Sequence, residues 1–341
     1  MKARQTELDN DFMSLECRIP EITMSTTIEG KPLTLKSLTH KERLLTTGHR
    51  MCSGCGAATI VHQVLLAIDE PVVISNASGC LEVSTCLFPH TAWKVPWIHS
   101  AFENAAATAS GMETMYRSLR KKGKLNKEMK FIAFGGDGGT YDMGMQAISG
   151  AMERGHQLLY ICYDNGAYMN TGIHRSSATP FAADTTSCPV GSKVSGKPHR
   201  RKDFTRIMAA HNLAFTAQAS PHNWKDLMTK VRKALATNGP AYIGVISPCN
   251  RGWRTQTDDS ILLSRLAAET CYWPLYEVQN GNWTINYDPK DRRKPVSEWL
   301  KLQGRFKHLF TPGNETVLAQ FQKYVDDDWE SLKKLQEMSK S

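Results

Sequence analysis

Asp137 stands among Gly135, Gly136, Gly138 and Gly139, and Asn165 follows at the end of the next apolar run; these are the residues whose types and spacing best suit a charged ligand. Glycines let the backbone approach a ligand closely, and the N–H groups that open the following helix suit phosphate. A bare carboxylate among such donors would repel a phosphate. A divalent cation between Asp137 and a diphosphate removes the conflict, and Mg2+ takes this mixture of one or two protein oxygens with phosphate oxygens. The Asn165 side chain and a nearby carbonyl could complete its octahedron. The cluster does not fit the dinucleotide fingerprint GxGxxG, and no GK[ST] marks a nucleotide P-loop. Residues 135–139 alone also admit a glycine-rich turn of no catalytic use.

Cysteines form the second candidate. The chain has nine, an odd number, and its opening MKARQTELDNDFM lacks the apolar core of a signal peptide, which argues against a disulfide framework. Cys52 and Cys55 form a CxxC in a glycine-containing turn, and Cys80 and Cys249 follow strand-like runs, so side chains from separate segments could converge. Cys86, Cys162 and Cys271 lie in apolar surroundings; Cys17 and Cys188 stand alone. The residues admit a four-thiolate iron–sulfur cluster, a zinc site or simple burial. Zinc commonly uses a second CxxC or a histidine pair, and neither is present.

The elements that must position these groups read as follows. Phe131 to Gly172 is a β-loop-α-β pattern, which predicts Asp137 and Asn165 at neighbouring strand ends on one edge of a sheet, where open α/β folds bind ligands. Apolar runs at VVISNASGC and PAYIGVIS and helical patterns at 204–212 and 224–237 continue the alternation. The expected fold is α/β, a largely parallel sheet with helices on both faces. Residues 1–45 read as an N-terminal arm, 46–270 as the cofactor-binding α/β domain, and 271–341 as a tail packed on the core or on partner subunits, with a final helix. The segment 173–203, rich in Ser, Thr, Pro and Gly, has a length typical of functional or disordered loops.

Composition bounds the rest. With 341 residues, 41% hydrophobic and 22% charged, the chain can bury a large core. No run approaches the roughly 20 apolar residues of a membrane span, so no membrane role and a cytoplasmic address are expected. The net charge of +9 gathers at Arg117–Lys130 and Lys193–Arg206. Both runs read as solvated surface, or as docking sites for an acidic partner or a phosphorylated cosubstrate. No recognition motif accompanies the charge, so nucleic acid is the weakest option and no nucleic-acid partner is expected.

The GDG of residues 136–138 with Asn165 looks like the thiamine diphosphate motif. Together with CSGCG, SGC, FPHTAWKVPWIH, DNGAYMNTG and SPCNRGW it resembles the β subunit of the pyruvate:ferredoxin oxidoreductase (2-oxoacid:acceptor oxidoreductase) family, from about Gly48 to the end of the chain. The resemblance implies thiamine diphosphate cradled by Gly136, Gly138 and Gly139, with Mg2+ on Asp137, Asn165 and the Ala167 carbonyl. It makes Cys52, Cys55, Cys80 and Cys249 the ligands of a [4Fe-4S] cluster, groups Ala57 and Cys80 with the cofactor, and faces Asn170 toward the thiazolium and the substrate carboxylate as the catalytic residue.

The activity it implies is CoA-dependent oxidative decarboxylation of a 2-oxoacid, pyruvate first, to acyl-CoA and CO2, with electrons passed through the cluster to ferredoxin. The carboxylate that activates the aminopyrimidine would come from an α subunit, with γ and ferredoxin-like δ subunits completing the complex. Glu82 and Glu103 are the local alternatives for that carboxylate, and packing or salt-bridge roles suit both better. Gly166 departs from a frequent Glu, His174 from Gln, and Ala57 from an acidic residue. His90 and His174 fall in segments expected near substrate; lining the pocket, either would admit an aryl or bulkier 2-oxoacid such as phenylglyoxylate. A non-redox thiamine decarboxylase or synthase, and an electron-transfer scaffold, are the remaining alternatives.

Overall fold

A computed structural model describes residues 33–87 and 90–340. Most of the expected N-terminal arm, with Cys17, lies outside them. In chain order, α1 (Leu35–Thr39) leads to α2 (Gly56–Ala67), β1 (Val72–Ala77), α3 (Cys80–Thr85), the hairpin strands β2 (Cys86–Leu87) and β3 (His90–Thr91), and β4 (Trp97–Ser100). Then come α4 (Ala105–Lys121), β5 (Lys130–Gly136), a π-helical turn (Gly138–Met143), α5 (Met145–Glu153) and β6 (Leu159–Asp164). The second half holds α6 (Phe204–Ala209), β7 (Phe215–Ala219), α7 (Trp224–Ala236), β8 (Ala241–Ile246), α8 (Asn250–Trp253) and α9 (Ser260–Glu269). It closes with β9 (Tyr276–Gln279), β10 (Asn282–Ile285), α10 (Ser297–Leu300), a 3-10 turn (Gly304–Phe310) and α11 (Glu315–Met338).

The main sheet has eight strands in the order β10-β9-β7-β8-β6-β5-β1-β4. The strands from β7 to β4 run parallel; β9 and β10 extend the sheet antiparallel. Helices α2 and α7 cover one face, and α4, α5 and α6 cover the other. Burial on both faces explains why β5, β6 and β8 read as continuous apolar runs rather than alternating ones. Ile74, Ile132, Ile161 and Ile243 are fully buried, and each contributes about 1.5–3 kcal/mol over an exposed position. The expected fold class is the observed one.

The segment from residue 271 on, expected as a tail, supplies β9 and β10 to the same sheet and packs α10 and α11 with α9 around Trp273, Trp299 and Phe306. Two outward N–H groups of β10 are held by α11: Trp283 N donates to Ser339 Oγ (3.0 Å) and Ile285 N to Gln336 Oε1 (2.7 Å). Leu45 is fully buried and bridges to Trp93, tying the start of the described chain to the loop before β4.

Candidate functional site

The chain passes from β1 outward to β4, then back across β1 to β5, so strand order reverses beside β1. Ligands of open α/β sheets bind in the crevice beyond such a reversal. Here a cleft lies beyond the carboxyl ends of β1, β5 and β6, lined among others by Gly79, Cys80, Asp137, Gly138, Asn165 and Asn170. Gly136 pairs in register with Tyr163, so the predicted neighbouring strand ends deliver Asp137 and Asn165 side by side.

Asp137 is buried. Its Oδ1 accepts from the Asn165 main-chain N–H (3.2 Å) and its Oδ2 from Ser176 Oγ (2.5 Å). Asn165 Oδ1 accepts from the Ala167 N–H (3.3 Å), which turns the loop back over the strand end. Burial first, then the neighbouring Asp164 carboxylate, push the Asp137 carboxyl well above its ordinary range, against the hydrogen bonds from Ser176 and Asn165. Asp164 is itself compensated by Arg201 (2.5 Å) and Tyr141 Oη (2.8 Å). Among the described residues no Lys, Arg or His comes within ion-pair distance of Asp137. An oxygen-seeking cation would supply the missing positive charge, and a carboxylate, an amide oxygen and a carbonyl are the donors it prefers.

The glycines keep the cleft open where side chains would close it. A Cβ on Gly138 would run into the Tyr168 ring, and one on Gly136 would come 3.3 Å from the Tyr163 ring. The Tyr163 hydroxyl is buried without a hydrogen-bond partner and lies 3.1 Å from where a Cβ on Gly79 would sit. A buried orphan hydroxyl in a cleft wall is a group waiting for a ligand atom.

Three helix starts bring the cysteines together. Cys55 is the N-cap of α2, Cys249 the N-cap of α8, and Cys80 the first residue of α3. The Ala57 and Ala58 N–H groups reach Cys55, and Gly252 N donates to Cys249 Sγ (3.4 Å), the kind of donors that favour thiolate over thiol. Burial opposes them, pushing Cys55 and Cys80 up to about 11 and Cys249 in the same direction. Cys55, Cys80 and Cys249 also repel one another and Cys52 as thiolates, so all four lie within electrostatic reach. Cys52 is exposed at the edge of this group. The CxxC turn is fixed against the Cys249 segment: Gly56 N donates to Pro248 O (2.9 Å), and a Cβ on Gly54, at φ +74°, would collide with the Thr257 carbonyl. Among the described residues no three His, Cys, Asp or Glu converge on one point.

The two groups touch. Cys80 lines the same cleft as Asp137, and Asn170, exposed at its mouth, lies close enough to favour the Cys80 thiolate. On the far side Trp253, which ends α8, donates its indole N–H to the Asn165 carbonyl (2.7 Å).

Several expected neighbours lie elsewhere. His90 is exposed on the β2–β3 hairpin, and His174 pairs its main chain with Tyr168; neither lines the cleft. Glu82 is buried, accepts from Cys86 Sγ (2.9 Å) and faces His99 (3.6 Å), while Glu103 is exposed. Ala57 is buried in α2 and reaches the site only through its N–H. The second basic run is not wholly solvated: Lys197 is buried on the carbonyls of Ser177 (3.1 Å) and Thr179 (2.5 Å), and Arg201 holds Asp164. Ser176, Tyr163, Asp164 and Trp253 escaped sequence reasoning; the only signal for Ser176 was its position in the long loop.

The sheet, the reversal point and the Asp137–Asn165 cleft define a thiamine diphosphate-binding domain, and residues 77–245 match the model of the thiamine pyrophosphate enzyme C-terminal TPP binding domain. Pyruvate synthase subunit PorB of Thermotoga maritima is 49% identical over 320 residues, covering 91% of this chain and 98% of its own. Pyruvate synthase subunit PorB of Methanocaldococcus jannaschii is 51% identical over 289 residues (84% and 95%), and ketoisovalerate oxidoreductase subunit VorB of Pyrococcus furiosus 41% over 292 (85% and 93%). A 2-oxoglutarate:ferredoxin oxidoreductase from Magnetococcus marinus shares the fold with a TM-score of 0.50 at 19% identity, over 64% of this chain and 77% of that one. The chain belongs to the family of β subunits of 2-oxoacid:ferredoxin oxidoreductases, and is one subunit of an oxidoreductase complex.

Proposed function

We propose that this subunit carries the reaction centre of a CoA-dependent 2-oxoacid:ferredoxin oxidoreductase acting on pyruvate, holding thiamine diphosphate, Mg2+ and a [4Fe-4S] cluster. The observation that carries the reading is Cys80, which belongs to the cysteine group and also walls the diphosphate cleft. When bound, thiamine diphosphate supplies the carbanion that adds to a 2-oxoacid carbonyl and accepts the electrons left after CO2 departs.

The protein's part is orientation and charge. Asp137, the Asn165 amide and the Ala167 carbonyl would hold Mg2+, while Gly136, Gly138 and Gly139 leave room for the diphosphate. Asn170 would orient the substrate carboxylate at the mouth of the cleft. Its place beside Cys80 in the cleft wall supports a short path from the cleft to the cluster. Four cysteines gathered from three helix starts far apart in the chain, with no second CxxC and no histidine pair, support a multi-iron group over a single zinc. The family sets pyruvate first, because the PorB relatives are the more similar; ketoisovalerate is the second reading, on the VorB relative.

Among the described residues no carboxylate of the cleft other than Asp137 is available to activate an aminopyrimidine, which supports an α subunit as its source, with γ and ferredoxin-like δ subunits and ferredoxin beyond. No described helix is long and apolar enough to cross a membrane, and a cytoplasmic complex fits this. The test is a 2-oxoacid panel on the anaerobically purified complex, with viologen as acceptor. Reduction that requires both pyruvate and CoA supports the reading; CO2 release without viologen reduction or iron would overturn it in favour of a non-redox decarboxylase.

A further inference from the structure

Arg305 is 2% exposed, and no carboxylate among the described residues comes within ion-pair distance of it. A buried charge without a partner is costly, and most proteins avoid it. Here the guanidinium is enclosed by rings instead: its Cζ stands 4.2 Å over Trp253, 5.0 Å over Phe306 and 5.8 Å over Trp299. Aromatic faces attract a cation without neutralising it. Its Nε donates to the Gln303 amide oxygen (2.9 Å), also a neutral partner. Burial draws the group down to about 10, so it remains cationic at neutral pH.

The place of this charge is specific. Trp253, on which it stacks, ends the helix that Cys249 caps, and Gly304 N donates to the Arg254 carbonyl at that helix's other cap (3.3 Å). A Cβ on Gly166 would lie 3.2 Å from Arg305 Nη1, so the missing side chain there leaves the guanidinium without the partner that a longer residue could supply. Of the acidic groups that act on it, the Tyr272 hydroxyl comes first and the Cys249 sulfur second, ahead of Asp164 and Asp137.

We propose that Arg305 is a positioning residue for electron transfer: its uncompensated buried charge stacks on Trp253 of the short helix that Cys249 caps, where it stabilises the reduced, more negative state of the cluster and so raises its reduction potential. The inference rests on the four-cysteine reading above. A reduced cluster brings one more negative charge into a low-dielectric region, and a fixed cation there favours it directly.

The test is an EPR-monitored redox titration of the assembled complex, with the relevant signal assigned by its loss in Cys249→Ser. Arg305→Met removes the charge at similar length. Gln303→Glu keeps Arg305 and adds a counter-charge on the same hydrogen bond. Both should lower the midpoint, with the reduced-to-oxidised ratio at the wild-type midpoint falling about tenfold, which is about 59 mV for a one-electron couple. Arg305→Lys should stay near wild type.

An unmoved midpoint in Arg305→Met with its cluster signal intact overturns the proposal, as does a Lys variant that moves as far as Met. Should the Met variant fail to assemble, an unmoved midpoint in Gln303→Glu overturns it alone. A signal indifferent to Cys249→Ser would instead overturn the four-cysteine reading, a separate failure seen before any Arg305 variant is made.

Discussion

The indole N–H of Trp253 donates to the main-chain carbonyl of Asn165 at 2.7 Å, and the four-residue helix that Trp253 ends is capped by Cys249. One short element therefore fixes a residue of the Asp137–Asn165 cleft and a residue of the cysteine group. Trp253→Phe keeps the ring and deletes the donor, leaving a buried carbonyl unpaired at about 1–3 kcal/mol. Thermal unfolding should register that loss, and titration with thiamine diphosphate and Mg2+ should show weaker binding, because the Asn165 loop is no longer pinned.

Asp137→Ala should abolish thiamine diphosphate retention and activity while leaving iron content and the cluster spectrum intact. An active Asp137→Ala complex would falsify the Mg2+ assignment. Gly138→Ala tests the same cleft by shape alone, since its Cβ meets the Tyr168 ring; cofactor affinity should fall at least about tenfold, or 1.4 kcal/mol. Gly111→Ala is the contrasting case. It lies on α4 with open space around it, so it should raise stability by about 0.5–1 kcal/mol without touching cofactor binding.

Gly54→Ala addresses the CxxC turn. At φ +74° and against the Thr257 carbonyl, a methyl group both strains the backbone and displaces the turn, at about 2 kcal/mol or more. The iron-to-protein ratio should fall sharply while thiamine diphosphate content is retained. Equal loss of both cofactors would mean that the two sites do not form independently.

His222 gives a pH signature away from the site. Its Nδ1 pairs with Ser220 Oγ at 2.8 Å, and burial lowers it to about 4. The folded state thus binds protons less readily than the unfolded chain, so stability is complete above pH about 6.5 and is lost as pH falls from there toward 4. Allowing for partial exposure, the loss is about 2 kcal/mol. Chemical denaturation between pH 7.5 and 4.5 should show that component in the wild type and not in His222→Gln.

What could be read from the sequence was what local pattern encodes. β5 and β6 are neighbours because a short crossover through α5 joins them, so Asp137 and Asn165 could be placed at one sheet edge from spacing alone. Cys80 and Cys249 could be placed at strand ends for the same reason. Ser176 could not be tied to Asp137, because its approach depends on a long loop held by Lys197 on main-chain carbonyls. Lys197 and Arg201 read as solvated charge, since a basic run carries no sign of which members face inward. The antiparallel β9 and β10 were missed because strand pairing with β7 joins segments about 60 residues apart, and β10 is short and alternates with solvent. Trp253 stood in the SPCNRGW stretch without a role of its own; its role comes from the helix that only the fold supplies.

The hold of α11 on β10 has a consequence for solubility. Ser339 and Gln336 occupy the N–H groups that this border strand would otherwise present to a neighbour. Unguarded strand borders recruit other chains into continuous, insoluble sheets. Two polar side chains near the chain's end thereby act as a stopper, and clipping the last turn of α11 should turn a well-behaved subunit into one that self-associates through its far edge.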